Sequence, residues 1–287
     1  MNMAEMAQYP LYTFGGGGPV IHLAVANGFP PQTYRPLLAP FADAYRVVCL
    51  PPRALWPQIG PPPAQPGSWR ELADDLLAGL RAHDLNGVIA VGHSFGGVAS
   101  LLAVLDEPER FRALILLDPT ILPPHVMDAV KAVRQQGGEL RLPLVEGALK
   151  RRSRFANAEE AFAYWRGKPL FSDWSDSALW LYTDSMTRPA ADGGLELAWS
   201  PAWEAYYYQS IYANTWDDLP RLDALLPVLV IGGETTDTFV AESRERAQAL
   251  LPNARFVTIA GHGHLFPHSA PDETRRVIRE WLTSVGA

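Results

Sequence analysis

The chain has 287 residues, of which 48% are hydrophobic and 19% charged, with a formal net charge of −7 and a pI near 5.5. This length suits one large α/β core, and the acidic balance argues against a nucleic-acid partner, which would want a basic patch. The single cysteine, Cys49, excludes an intrachain disulfide and a cysteine-based metal site.

The N-terminus lacks a basic segment followed by an apolar one, so no leader peptide is expected. No apolar stretch reaches the roughly 18 residues a membrane span needs, so a cytoplasmic protein is expected. Residues 15–18 are four glycines that read as a turn between two opening strands. The apolar run 19–26 stops at Asn27-Gly28-Phe29-Pro30 and reads as a strand covered on both faces. A second run, 45–50, contains Cys49 and closes at Pro51-Pro52. After a proline-rich loop, Ser68-x-x-Glu71 predicts a capping box, followed by Trp69, Leu72, Leu76 and Leu80 at helical spacing.

The apolar run 88–91 then meets Gly92-His93-Ser94-Phe95-Gly96, and an apolar helical stretch follows over 97–105. Run 113–117 ends at Asp118-Pro119. Strands alternating with helices predict a mostly parallel, doubly wound sheet. Between about 121 and 221 the rhythm gives way to an irregular helical stretch rich in Trp and Tyr, including Tyr206-Tyr207-Tyr208. The basic cluster Lys150-Arg151-Arg152 with Arg154 reads as a solvated helix face. The rhythm resumes at 228–231 and 255–259, and a last helix carries Val277, Ile278, Trp281 and Leu282 on one face. The expected organisation is a core of residues 1–120 and 222–287, with a helical cap over 121–221.

Strand, Gly-x-Ser-x-Gly turn, helix is the setting of a nucleophile elbow, which lifts a serine oxygen clear of the sheet. A serine needs a base, and the base needs an orienting acid. His264, after the run 255–259, is the expected base, with His262 and His268 as weaker choices. The acid should lie between serine and histidine in the chain. Asp237, beyond the run 228–231, is the first choice, Asp118 the alternative and Glu234 a third. The backbone N–H groups of Phe95 and Phe29 are the expected oxyanion donors.

With these motifs the chain resembles the α/β-hydrolase fold family, in its esterase- and lipase-like branch with a helical cap. Asn27-Gly28-Phe29-Pro30 resembles that family's His-Gly-x-Pro loop, with Asn27 in place of the histidine, and residues 261–267 resemble its histidine loop. The resemblance implies a Ser94–His264–Asp237 triad and no cofactor or metal. Relatives that displace halide or open epoxides carry Asp at the elbow, so Ser94 implies acyl chemistry. The aromatic cap suggests a small hydrophobic ester or lactone as substrate. Carbon–carbon bond hydrolysis, perhydrolysis, a non-catalytic ligand-binding role and a metal-dependent hydrolase are the competing readings. A monomer and a homodimer both fit the sequence.

Overall fold

The apolar runs become strands because each is short, aliphatic and closed by Gly, Pro or Asn. The computed structural model describes residues 8–287 apart from 139 and 141, so the expectation about the extreme N-terminus falls partly outside the described residues. Strands β1 (Tyr12–Gly15), β2 (Val20–Ala24), β3 (Arg46–Cys49), β4 (Val88–His93) and β5 (Phe111–Leu117) come first. Strands β6 (Arg154–Phe155), β7 (Thr187–Pro189) and β8 (Leu195–Leu197) follow, then β9 (Val228–Gly233) and β10 (Arg255–Ile259).

Seven of these form one sheet in the order β1-β3-β2-β4-β5-β9-β10. Only β1 runs antiparallel, against β3, while the remaining pairs are parallel. Every residue of β4 and β9 is buried, whereas β10 at the edge is half exposed. Strands covered on both faces need unbroken apolar runs, which is why the central ones carry them.

Helix α1 (Arg70–Ala82) packs against α2 (Phe95–Asp106), which leaves β4 directly through Ser94. The predicted capping box does not form. Trp69 holds the N-cap position without a side-chain bond. The Glu71 carboxylate instead accepts the Tyr206 hydroxyl, at 3.1 and 3.2 Å, so a tertiary donor has replaced the local amide.

Between β5 and β9 lie helices α3 (Pro124–Gln135), α4 (Pro143–Leu149), α5 (Ala158–Arg166), α6 (Asp176–Met186) and α7 (Pro201–Gln209). This stretch is not purely helical. It also holds a small antiparallel sheet in the order β6-β8-β7, tied by Arg188 to Glu196 across strands at 3.0 Å. Strands of two or three residues are too short to show a period in the sequence. The stretch is fastened to the residues around the large sheet by polar bonds, among them Trp69 Nε1–H to the Tyr207 carbonyl at 2.7 Å and Trp203 Nε1–H to the Gly60 carbonyl at 2.9 Å.

Helices α8 (Ala241–Leu250) and α9 (Pro271–Val285) complete the chain, and Val277, Ile278, Trp281 and Leu282 of α9 are buried as a set. Among the described residues no helix is long and apolar enough to cross a membrane.

Candidate active site

Ser94 stands between β4 and α2 with φ +58° and ψ −123°, a backbone state that costs about 1–3 kcal/mol and persists only where its surroundings enforce it. The enforcement is visible. The Ser94 N–H donates to the Leu117 carbonyl at 3.1 Å, and the Gly97 N–H donates to the Ser94 carbonyl at 3.0 Å. The flanking glycines are required by space. A Cβ on Gly92 would lie 2.5 Å from the Gly96 carbonyl oxygen, and one on Gly96 would lie 2.4 Å from those of Ala24 and Val25.

The Ser94 hydroxyl is 3.0 Å from His264 Nε2, and His264 Nδ1 is 2.8 Å from Asp118 Oδ1. A carboxylate only accepts, so Nδ1 carries the proton and Nε2 offers its lone pair to the serine. Asp118 is fully buried, and burial pushes its carboxyl up. The donors His264, Thr236 and the Gly233 N–H outweigh that effect and hold it below the usual carboxylate value. Their distances to the carboxylate are 2.8, 2.6 and 2.8 Å.

The sequence put Asp237 first, but the carboxylate that the structure brings to His264 is Asp118. Asp237 is exposed and its carboxylate accepts from the neighbouring Thr238 hydroxyl at 3.3 Å, away from His264. Asp118 ends β5, between β4 and β9, so it emerges under the imidazole. The loop after β9 supplies donors to the acid in place of the acid itself. Glu234 is also exposed and accepts the Gly261 N–H at 2.7 Å. His262 turns to Ser269 at 2.8 Å, and His268 is buried against Thr33 at 3.1 Å.

The two expected oxyanion donors differ. The Phe95 N–H opens α2 and has no acceptor among the described residues. The Phe29 N–H is committed to the Ala26 carbonyl at 3.1 Å, in a turn made possible by Gly28 at φ +82°. A tight turn closes its own hydrogen bond, which sequence spacing does not reveal.

Three further features escaped the sequence. Thr120 Oγ1 lies 3.1 Å from Ser94 Oγ, and its only signal is its place just after Asp118-Pro119. His93 is wholly buried. Its Nε2–H donates to the His264 carbonyl at 3.0 Å and its Nδ1 accepts the Tyr34 hydroxyl at 2.7 Å, which in turn accepts the Ala26 N–H at 2.9 Å. This chain ties the elbow, the histidine loop and the Asn27-Gly28-Phe29 loop together. Burial, then the neighbouring His264 and His268, hold His93 neutral, its pKa well below the ordinary value.

The third is Arg151. Far from a solvated face, it lies 3.0 Å from Glu204 of α7, with side-chain exposures of 19% and 4%. Its neighbour Lys150 stays exposed, so nothing in the local sequence singles out the buried member.

Among the described residues no cluster of three or more His, Cys, Asp or Glu side chains is arranged to hold a metal. A cavity of about 40 Å³ is lined in part by His22, Leu50, Trp56, Phe95 and Gly96, and neither Ser94 nor His264 lines it.

The model of the family described as the alpha/beta hydrolase family matches residues 20–277. A 2-(acetamidomethylene)succinate hydrolase from Mesorhizobium japonicum is 23% identical over 284 residues, covering 98% of this chain and 91% of that one. The esterase YbfF of Escherichia coli is 23% identical over 217 residues, covering 74% and 73%. The crystal structure of an E-2-(acetamidomethylene)succinate hydrolase aligns with a TM-score of 0.76 at 20% identity, covering 95% of this chain and 94% of the other. The chain belongs to the alpha/beta hydrolase family.

Proposed function

We propose that this protein is a serine hydrolase that cleaves an acyl bond through an acyl-enzyme, with a carboxylic ester or lactone as its first substrate class. The observation that carries this reading is the unbroken contact chain from Ser94 Oγ through His264 to Asp118, at 3.0 and 2.8 Å. Ser94 Oγ attacks the carbonyl carbon while its proton passes to His264 Nε2. Asp118 stabilises the imidazolium that forms and keeps the ring in one tautomer. The Phe95 N–H donates to the oxyanion, an interaction worth roughly 10²–10³ in rate. Collapse of the tetrahedral intermediate expels the alcohol, which leaves with the proton from His264. Water then gives a proton to the same nitrogen, attacks the acyl carbon and releases the acid, and Ser94 recovers its hydrogen.

Relatives named as a succinate-derivative hydrolase and as an esterase support hydrolysis more strongly than they support any one bond. Residues 121–221 act in this reading as a cap over the site. Trp174 and Tyr182 of that segment pack against Phe29, with ring centroids at 6.1 and 5.5 Å. The test is labelling by a fluorophosphonate probe together with turnover of p-nitrophenyl esters in the presence of EDTA. Both should occur in the native protein and vanish in Ser94→Ala. Turnover that persists in Ser94→Ala removes the reading.

A further inference from the structure

The cap meets the Asn27-Gly28-Phe29 loop at a buried group of polar atoms. A methyl group added to Gly28 would lie 3.6 Å from Glu204 Oε1 and 3.7 Å from Arg151 Nη1, so both charged groups sit directly over the loop that leads to Phe29. Asn27 fixes this contact by donating from Nδ2 to the Glu204 carbonyl at 3.0 Å.

Arg151 Nη1 and Glu204 Oε2 are 3.0 Å apart, yet neither is aligned to form a hydrogen bond with the other. Asn27 Oδ1 and Trp174 Nε1 are likewise buried without a hydrogen-bond partner among the described residues, and the Tyr182 hydroxyl lies within reach of the Arg151 guanidinium without an aligned hydrogen bond. Tyr182 faces the Arg151 guanidinium, and both Tyr182 and Trp174 pack on Phe29. Native proteins leave few buried polar atoms unpaired, and an unpaired one points to a missing water, ion or ligand. Five such atoms, from the cap and from the loop that Tyr34 and His93 tie to the elbow, mark a place built for an occupant.

The chemistry of the five narrows what that occupant is. Arg151, Tyr182 and Trp174 donate, while Glu204 and Asn27 accept. The Arg151–Glu204 pair carries no net charge. A carboxylate placed there would face Glu204, and an alkyl group would leave all five atoms dry. A neutral group that both accepts and donates satisfies the set.

We propose that the substrate carries, remote from its scissile carbonyl, a carboxamide that accepts from Arg151 and donates to Glu204. This rests on the acyl-hydrolase reading above and corrects the expectation of a purely hydrophobic substrate.

The test uses p-nitrophenyl esters of graded acyl chains that end in a carboxamide, a carboxylate or a methyl group. A calorimetric titration of Ser94→Ala with hexanamide accompanies it. In the native protein the best carboxamide ester should exceed its methyl counterpart in kcat/KM by at least about 10²-fold, because a site built for hydrogen bonds rejects analogues that lack them. Glu204→Gln leaves Arg151 charged and uncompensated, so it should shift the preference to the carboxylate ester. Arg151→Lys keeps the charge but loses the planar fork, and should narrow the carboxamide preference. Fluorophosphonate labelling of each variant reports an intact Ser94 site.

Equal turnover of carboxamide and methyl esters at every length, with no hexanamide binding to Ser94→Ala, overturns the inference and leaves the triad standing. A native preference for the carboxylate ester overturns it as well. Hexanamide binding that Glu204→Gln abolishes, in a protein with no Ser94-dependent turnover, supports this site and removes the triad reading instead.

Discussion

Two buried polar regions lie on either side of the Asn27-Gly28-Phe29 loop, and they are built differently. Beyond the sheet, the side chains around Ser94 are already paired, while the Phe95 N–H stays open among the described residues. Asp118 accepts from Gly233, Thr236 and His264, His93 uses both ring nitrogens, and Ser94 faces both His264 and Thr120. Among residues 121–221 and the loop they cover, Arg151, Glu204 and Asn27 each keep an atom without an aligned hydrogen bond among the described residues. The first region is held by strand ends whose register fixes it. The second is held by helices and loops of the inserted segment. Chemistry that is the same for any acyl group profits from groups preorganised before substrate arrives, whereas recognition requires groups that remain open until then. On the proposed function, the difference between the regions is a division between reaction and selection.

The comparison breaks most severely at the triad. Ser94→Ala should lower ester turnover by about 10⁴-fold or more while leaving the unfolding midpoint close to native, as read by p-nitrophenolate release and thermal melts. Asp118→Asn should lower kcat by about 10⁴-fold, since the altered tautomer no longer offers Nε2 to the serine.

On the side of Arg151 and Glu204, a single Glu204→Met should cost stability as well as selectivity. Removing one partner of a buried pair costs about 3–5 kcal/mol, whereas replacing both with apolar residues of similar volume is often neutral. Arg151→Met combined with Glu204→Met should therefore recover most of the urea midpoint that the single change loses.

A pH titration of stability sharpens the contrast further. Burial lowers His22 and His268 from 6.5 to about 3, and His93 also lies well below 6.5. Below pH 6.5 the unfolded chain binds protons that the folded chain refuses. The contribution of these residues is thus complete above 6.5 and falls away toward pH 3, by up to about 1.4 kcal/mol per pH unit for each histidine. Urea midpoints that stay flat between pH 7 and 5 would contradict neutral burial of the three. The smallest effect belongs to Asp237→Asn, which should leave kcat/KM within about twofold of native, as expected of an exposed surface position.

The succession of strands along the chain, the elbow and the histidine after the last strand are local properties, written in apolar runs and the glycines that follow them, and they are legible in the sequence. Ser94 and His264 were singled out this way, and the structure brings them to 3.0 Å of each other. The acid was not. Asp118 and Asp237 both follow strands, and only the lateral order β4-β5-β9 puts the end of β5 beneath the imidazole. The Phe29 N–H, the Glu71 side chain and the Arg151 guanidinium all found partners other than those their neighbours in the chain suggested. Backbone geometry and burial are set by a residue and the few beside it, whereas a polar side chain spends its hydrogen bonds on whatever the fold brings within 3 Å, and that choice belongs to the tertiary structure alone.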